Sequence, residues 1–110
     1  MKKIPDDIAP ILAELKARLR EFYGEKLVKL MLFGSRARGD NDPDSDIDVL
    51  VVLDISANEL NDLVYPTGIV EGILDRYDRV VSIVEVDIGR FGTWKSPLMI
   101  NVRREGVQVA

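Results

Sequence analysis

Two aspartates set one residue apart, Asp46 and Asp48, are the side chains of this chain best suited to chemistry. They open the run Ser45 to Leu53 (SDIDVLVVL), whose composition predicts a β-strand. Because successive side chains of a strand face opposite sides, both carboxylates would project from one face. Carboxylates placed in this way can hold two divalent cations of the kind that phosphoryl and nucleotidyl transfer use. Magnesium is the expected metal because it prefers hard oxygen ligands.

A glycine-serine turn lies upstream of the two aspartates. Gly34 would let the backbone approach phosphate oxygens closely, and Ser35 would add a hydroxyl donor to the backbone N–H groups. The turn has no Gly-Lys-Ser/Thr element, which excludes a Walker phosphate loop. A pair of aspartates alone would also fit a solvated strand start, but the turn before it and the apolar run after it favour a metal-and-phosphate site.

Composition restricts the alternatives. The 110 residues include no cysteine and no histidine, which excludes disulfides, thiol nucleophiles, Ser-His-Asp triads and the usual zinc sites. A net charge of −4 argues against broad nucleic-acid affinity, so no direct nucleic-acid binding is expected. No apolar run is long enough for a membrane span, and the polar start of the chain does not resemble a signal peptide. We therefore expect one domain over residues 1–110 and a cytoplasmic location.

Apolar spacing and end signals predict the helices. The first should run from about Asp6 to Tyr23 with Phe22 on its apolar stripe, and Ser35 to Arg38 should form a short helical turn. A second long helix is expected between Ala57 and Tyr77, with a break near Pro66 and with Val64 and Leu74 among its buried residues. Ser96 and Pro97 are typical of a helix start, and Gly106 ends that last helix.

Apolar and β-branched runs predict the strands, which are expected over Lys26 to Phe33, Ser45 to Leu53, Arg79 to Val86 and, briefly, Val107 to Val109. The segments Gly39 to Pro43 and Asp87 to Lys95 are predicted to be loops. This order of elements predicts an α/β (α+β) domain.

The segments GSRARG (34–39) and SDIDV (45–49) resemble the signature of the DNA polymerase β-type nucleotidyltransferase superfamily, and more narrowly that of the minimal nucleotidyltransferase (MNT) family. Residues 96–107 also resemble the end of short MNT proteins, so the likeness covers nearly the whole chain. The resemblance implies a polymerase β-like fold, a small mixed sheet packed with helices, that binds ATP with Mg²⁺.

The resemblance also implies roles for individual residues. Asp46 and Asp48 would be the catalytic and metal-binding pair, and Arg36 or Arg38 would steady the phosphates as charge moves to the departing pyrophosphate. The implied nucleotide-binding residues are Gly34, Ser35, Arg36, Arg38 and Ser45.

One position departs from the superfamily pattern. A third carboxylate commonly stands on the strand after the second helix, and the matching position here is Ser82. Glu85 and Asp87 are close in sequence, but alternation would place both on the strand face opposite Ser82. Such a carboxylate would help to bind metal and could act as base, so its absence bears directly on activity.

Family resemblance also suggests a partner. MNT proteins are typically paired with HEPN-family RNase toxins, which they neutralise, in characterised systems by transferring AMP to a tyrosine. Three hypotheses follow: an antitoxin that adenylylates its HEPN toxin, a catalytically weak antitoxin that only occludes the toxin, and a transferase acting on a small-molecule hydroxyl. Exposed apolar residues could dock the partner or could close the core, namely Phe91, Trp94, Leu98 and Met99.

Overall fold

The computed structural model describes residues 4–38 and 45–110. Within these residues four strands form one mixed sheet in the order β3-β2-β1-β4. The central strand β2 is antiparallel to β1 and parallel to β3, and β4 is antiparallel to β1 at the opposite edge. The strands are β1 (Leu27–Phe33), β2 (Ile47–Leu53), β3 (Val81–Asp87) and β4 (Val107–Gln108). The predicted mixed sheet with packed helices is confirmed.

Helices connect the strands in the described part of the chain. A single 3₁₀ turn, Gly24–Lys26, leads from the first helix into β1. The helices are α1 (Ala9–Tyr23), α2 (Ser35–Arg38), α3 (Ala57–Asn61), α4 (Thr67–Tyr77), α5 (Ile88–Thr93) and α6 (Pro97–Glu105). The loop predicted over 39–43 lies outside the described residues.

One face of the sheet is covered by α1 and α4. The apolar stripe of α1 is buried there against Val49, Val51 and Ile83. Phe22, which was predicted to belong to this stripe, is instead 45% exposed, and Tyr23 takes the buried position. Tyr23 follows Leu15 and Leu19 at a spacing of four residues, so it continues the buried stripe to the end of the helix at Gly24.

The other face is covered by α5 and α6. Met99 and Val102 of α6 pack on Met31, Leu50 and Val52 of the sheet. Since β2 carries core residues on both faces, its apolar run shows no alternation after Asp48. The strand predicted over Ser45 to Leu53 is confirmed for Ile47–Leu53 and is buried on both sides after Asp48.

The predicted break near Pro66 is confirmed, because α3 ends at Asn61 and α4 begins at Thr67. Ser56 and Glu59 form a reciprocal capping box at the start of α3, which fixes that helix although it is short. Two predictions of burial are wrong: Val64, between the helices, is 76% exposed and Leu74 is 42% exposed. In α4 the buried residue is Ile73, which directly precedes Leu74.

The loop predicted over Asp87 to Lys95 is also wrong, because most of it forms α5. Asp87, the last residue of β3, accepts a hydrogen bond from the backbone N–H of Arg90 at 3.0 Å and so caps the helix. Two glycines in α5 had concealed its helical tendency. Among the described helices, none is long and apolar enough to cross a membrane.

Candidate functional site

Asp46 and Asp48 lie where β2 begins. Asp46 directly precedes the strand and is exposed, whereas Asp48 is its second residue and is half-buried. Asp48 lies opposite Phe33 in the antiparallel pair, so it marks the end of β1 as well as the start of β2. Strand alternation places Asp48 on the face of the sheet that α5 and α6 cover.

The two carboxylates interact electrostatically. Partial burial raises the pKa of Asp48 above its usual value, the negative charge of Asp46 raises that pKa further, and the positive charge of Arg38 opposes both effects. This site therefore concentrates negative charge at a partly desolvated position. A cation bound between the carboxylates would relieve the repulsion.

Gly34 forms the turn that faces Asp48. Its φ of 76° lies in the left-handed region, which residues with a Cβ atom rarely adopt. A Cβ atom at this position would lie only 2.5 Å from Oδ2 of Asp48. Glycine is thus required twice, for the backbone conformation and for the close approach of the turn to the carboxylate.

Ser35 begins α2 directly after this glycine, as predicted. The carbonyl oxygen of Gly34 accepts hydrogen bonds from the N–H groups of Ala37 and Arg38, each at 3.1 Å, which closes the short helix. The N–H groups of the first helical residues have no partner inside a helix, so such a turn is a common place for phosphate oxygens. The hydroxyl of Ser35 is placed beside that turn.

The two arginines of the motif differ in their surroundings. Arg36 is buried, with 1% of its surface exposed, and its Nη1 atom donates to Oδ2 of Asp7 at 2.6 Å. Arg38 is 43% exposed, lies 3.8 Å from the carboxylate of Glu105, and acts on the charge of Asp48. Of the two candidates for a phosphate contact, the geometry favours Arg38. Arg36 instead ties α2 to the segment that precedes α1.

Two serines flank the aspartates. Ser45 directly precedes Asp46 and is half-buried. Ser82 is exposed on β3 and is the register partner of Asp48 across the parallel pair. A hydroxyl group therefore stands beside Asp48 on the neighbouring strand, at the position where the superfamily pattern has a carboxylate.

Neither Glu85 nor Asp87 lies beside the aspartate pair. Glu85 accepts a hydrogen bond of 2.5 Å from the hydroxyl of Tyr23, on the α1 side of the sheet. This contact explains why Glu85 is half-buried. Asp87 is the register partner of Leu53 at the far end of β2, five residues and about 16 Å along the strand from Asp48.

The sequence profile of the nucleotidyltransferase domain family matches residues 12–102, which include both aspartates and the turn. The chain belongs to this family. The nucleotidyltransferase resemblance of the two motifs is therefore confirmed, and the protein is a nucleotidyltransferase.

Individual proteins are also similar to this nucleotidyltransferase. It is 33% identical over 103 residues to MJ0141 of Methanocaldococcus jannaschii, provisionally named a protein adenylyltransferase, with 94% of this chain and 99% of the relative covered. Its fold is similar to a chain of a toxin-antitoxin crystal structure with AMP-PNP (TM-score 0.60, 21% identity, 88% of this chain and 71% of that chain covered). A complex of tri-AMPylated Shewanella oneidensis HEPN toxin with MNT antitoxin also contains this fold (TM-score 0.51, 19% identity, 92% and 71% covered).

The donor set of the nucleotidyltransferase fits a divalent cation. Asp46 and Asp48 supply hard oxygen ligands, and their mutual repulsion favours a cation between them. Among residues 4–38 and 45–110, no three acidic side chains form a metal-binding group. The fit is therefore to a cation held by two carboxylates together with substrate phosphates, which is a common arrangement for Mg²⁺.

One concavity among the described residues lies away from this site. A cavity of about 520 Å³ lies between α1 and the segment around α4, lined by residues that include Arg18, Phe22, Tyr65 and Arg76. It is on the α1 side of the sheet, away from Asp48. The four residues considered for docking are divided: Met99 is buried and Phe91 packs partly on the core, whereas Trp94 and Leu98 are 46% and 38% exposed.

Proposed function

We propose that this protein is an antitoxin that transfers AMP from Mg-ATP to a tyrosine hydroxyl of a cognate HEPN-family toxin and so neutralises it. The observation that supports the proposal is the close approach of the Gly34 turn to Asp48, whose charge interacts with that of Asp46, so that a backbone suited to phosphate would lie against two carboxylates suited to metal. The provisional adenylyltransferase name of the M. jannaschii relative supports the reaction. The tri-AMPylated toxin in the S. oneidensis complex supports the partner.

Each residue of the site would have its own role in the reaction. Asp46 and Asp48 would hold Mg²⁺, which in such sites stabilises the charge of the reacting phosphate oxygens. The Gly34 turn and the Ser35 hydroxyl would bind the triphosphate, with Ser45 beside the aspartates. Arg38 would stabilise the negative charge that develops on the leaving group, since it is the motif arginine whose charge reaches Asp48.

The reaction itself is a single displacement. The tyrosine oxygen forms a bond to the α-phosphorus of ATP, the bond from that phosphorus to the bridging oxygen of pyrophosphate breaks, and the hydroxyl proton is released. Positioning and electrostatic stabilisation provide most of the catalysis in phosphoryl transfer. The acceptor must come from the partner, because the described elements are used to build the sheet, its two helical layers and the site.

A second function, neutralisation by occlusion without transfer, is favoured by one observation. Ser82 rather than a carboxylate faces Asp48, so the described residues offer no third acidic group as metal ligand or base. The two functions differ in their products. Incubation of the chain with its HEPN partner, ATP and Mg²⁺, followed by intact-mass measurement of the partner, should show added AMP for the enzyme and none for occlusion.

A variant at one of the two aspartates tests whether the adduct depends on them. Asp46→Asn keeps the size of the side chain but removes a charged ligand, so the adduct should disappear. An unmodified partner that is nevertheless inhibited by the wild-type chain would overturn the enzymatic proposal. A neighbouring gene that encodes no HEPN protein would favour a small-molecule hydroxyl as the acceptor instead.

A further inference from the structure

The helices α5 and α6 carry an uneven share of the charge. From Asp87, which caps α5, to Glu105, the last residue of α6, the sequence has four basic and two acidic residues, in a chain whose net charge is −4. The remainder of the chain, with 11 basic and 17 acidic residues, has a net charge of −6. Positive charge is thus concentrated in one short region of an acidic protein, which is the pattern of an electrostatic recognition site.

Cations and aromatic rings are interleaved in this region. The guanidinium carbon of Arg90 lies 4.7 Å from the centre of the Trp94 ring, and the ammonium of Lys29 lies 5.7 Å from the centre of the Phe91 ring. We call these side chains the basic aromatic surface, which consists of Lys29, Arg90, Phe91, Trp94, Lys95 and Arg103.

Arg103 fixes the conformation of this surface. Its Nη1 atom donates to the carbonyl oxygen of Phe91 at 2.6 Å, and its other terminal nitrogen donates to the carbonyl oxygen of Trp94. The connection between α5 and α6 is therefore fixed to α6, on which Arg103 lies. A surface fixed in the free protein loses little conformational freedom when a partner binds.

Exposed apolar side chains lie in the same region of the sequence as these basic residues. Trp94 is 46% exposed, Ile88 is 43% exposed and Ile100, one helical turn before Arg103, is 37% exposed. Tryptophan and arginine are the residue types most enriched at the energetic centres of protein interfaces. Exposed isoleucines add apolar area that a protein partner can bury and that nucleic-acid bases cannot stack upon.

The surface lies on the same side of the sheet as Asp48, about 13 to 16 Å from it along the strands. Lys29 and Phe33 both lie on β1, four residues and about 13 Å apart, and Phe33 pairs directly with Asp48. From Pro97, α6 runs to Glu105, whose carboxylate lies 3.8 Å from Nη1 of Arg38. A protein bound to the basic aromatic surface would therefore have neighbouring side chains within reach of the site.

The structure assigns the basic aromatic surface as the docking site for the acceptor protein, which would bind through an acidic surface that also carries apolar side chains. This inference rests on the proposed function, because it supposes that the acceptor is a protein. Because the basic aromatic surface is positively charged, the partner surface that binds it should be negatively charged. Because Trp94, Ile88 and Ile100 are exposed, the partner surface should also carry apolar side chains.

Binding of the purified HEPN partner to the chain, measured by biolayer interferometry at low and high salt, tests the assignment. We expect Trp94→Ala and Lys95→Glu each to raise Kd by about tenfold or more, and the wild-type Kd to rise with salt. Arg20→Glu is the matched control, because it makes the same charge change at an exposed position of α1, on the other side of the sheet. Its Kd should stay within about twofold of wild type.

Three results would overturn the docking site: no binding of the partner to the wild-type chain, unchanged Kd for both surface variants, or an equal effect of Arg20→Glu. Melting temperatures of all variants show whether a loss of affinity reflects unfolding, and the exposed Lys95 keeps the test valid if Trp94→Ala is unstable. A labelled oligothymidylate provides a second probe. Loss of oligonucleotide binding in Trp94→Ala, with partner binding unchanged, would assign the surface to nucleic acid and overturn the proposal.

The same samples separate this inference from the proposed function. If the wild-type chain forms the AMP adduct while both surface variants keep their affinity, the docking site is wrong and the transferase function stands. If the variants lose affinity but no adduct forms with wild type, the docking site stands and the transferase function is wrong.

Discussion

The position of Gly34 shows how closely the turn approaches Asp48 at the start of β2. Gly34→Ala would introduce a Cβ atom 2.5 Å from Oδ2 of Asp48 at a φ of 76°. We expect this variant to lose at least about 2 kcal/mol of unfolding free energy and to lose nucleotide binding. Urea denaturation and ATP titration measure the two effects.

Gly68→Ala is the control for that variant. It lies in α4 with nothing within 4 Å of a Cβ atom, so alanine there should stabilise the protein by about 0.5 to 1 kcal/mol. Equal stability of Gly34→Ala and Gly68→Ala would show that the close approach to Asp48 is not a feature of the folded protein.

Arg36 and Arg38 should separate stability from activity. Arg36 is buried and bonded to Asp7, so Arg36→Ala should lower the unfolding free energy by about 2 kcal/mol or more. Arg38 is exposed beside the site, so Arg38→Ala should change stability by less than about 1 kcal/mol while raising the KM for ATP. Denaturation curves and transfer kinetics of both variants measure this difference. A stable, inactive Arg36→Ala protein would reverse the two assignments.

At the scale of elements, α1 and α4 are joined by a charged contact. Glu14 of α1 accepts hydrogen bonds from Arg76 and Tyr77 of α4, and the bond from Arg76 is the main reason that the pKa of Glu14 lies below its usual 4.5. A lowered pKa stabilises the fold at pH values above the unfolded-state pKa. This contribution is lost as the pH falls through the lower folded-state pKa.

Glu14→Gln should therefore destabilise the protein at neutral pH and have progressively less effect below pH 4.5. Urea midpoints of wild type and variant at a series of pH values between neutral and acidic measure this change. A difference between the two proteins that stays constant over the whole series would contradict the role of the Glu14 charge.

Local patterns predicted most of the elements. The α1 stripe, the apolar run of β2, the Pro66 break and the Ser96-Pro97 start of α6 each carry their signal within a few residues. The α5 helix was missed because its signal is a single capping side chain, Asp87, followed by a glycine-rich segment. An aspartate followed by a turn of helix-compatible residues was the available clue.

The site could be predicted only in part, because some of its features depend on contacts between residues that are distant in sequence. Spacing predicts Asp46 and Asp48 on the same face, and alternation correctly places Glu85 on the face opposite Ser82, where it bonds to Tyr23. Sequence could not distinguish Arg36 from Arg38, because burial of Arg36 depends on Asp7, a residue 29 positions away. The contact of Glu85 with Tyr23 is similarly remote in sequence. Long-range pairs of this kind have no local signature.

In the molecule as a whole, the two sides of the sheet carry different features. The α1 and α4 side carries the largest apolar cluster and the 520 Å³ cavity, whereas the α5 and α6 side carries the aspartates and the basic aromatic surface. Transfer to a partner requires that site and docking surface share a side, and in this protein they do. The net negative charge of the remainder of the chain would disfavour binding of an acidic partner elsewhere.

Under the proposed function, the aspartate pair is required for the transfer of AMP to a partner protein, and the variant Asp48→Asn tests this requirement. Removing this partly buried, repelled charge should not lower the melting temperature, yet it should abolish the AMP adduct seen by intact mass after incubation with the HEPN partner, ATP and Mg²⁺. Asp54→Asn, an exposed aspartate just beyond the other end of β2, should leave the adduct intact. A folded Asp48→Asn protein that still modifies its partner at the wild-type rate would contradict the account.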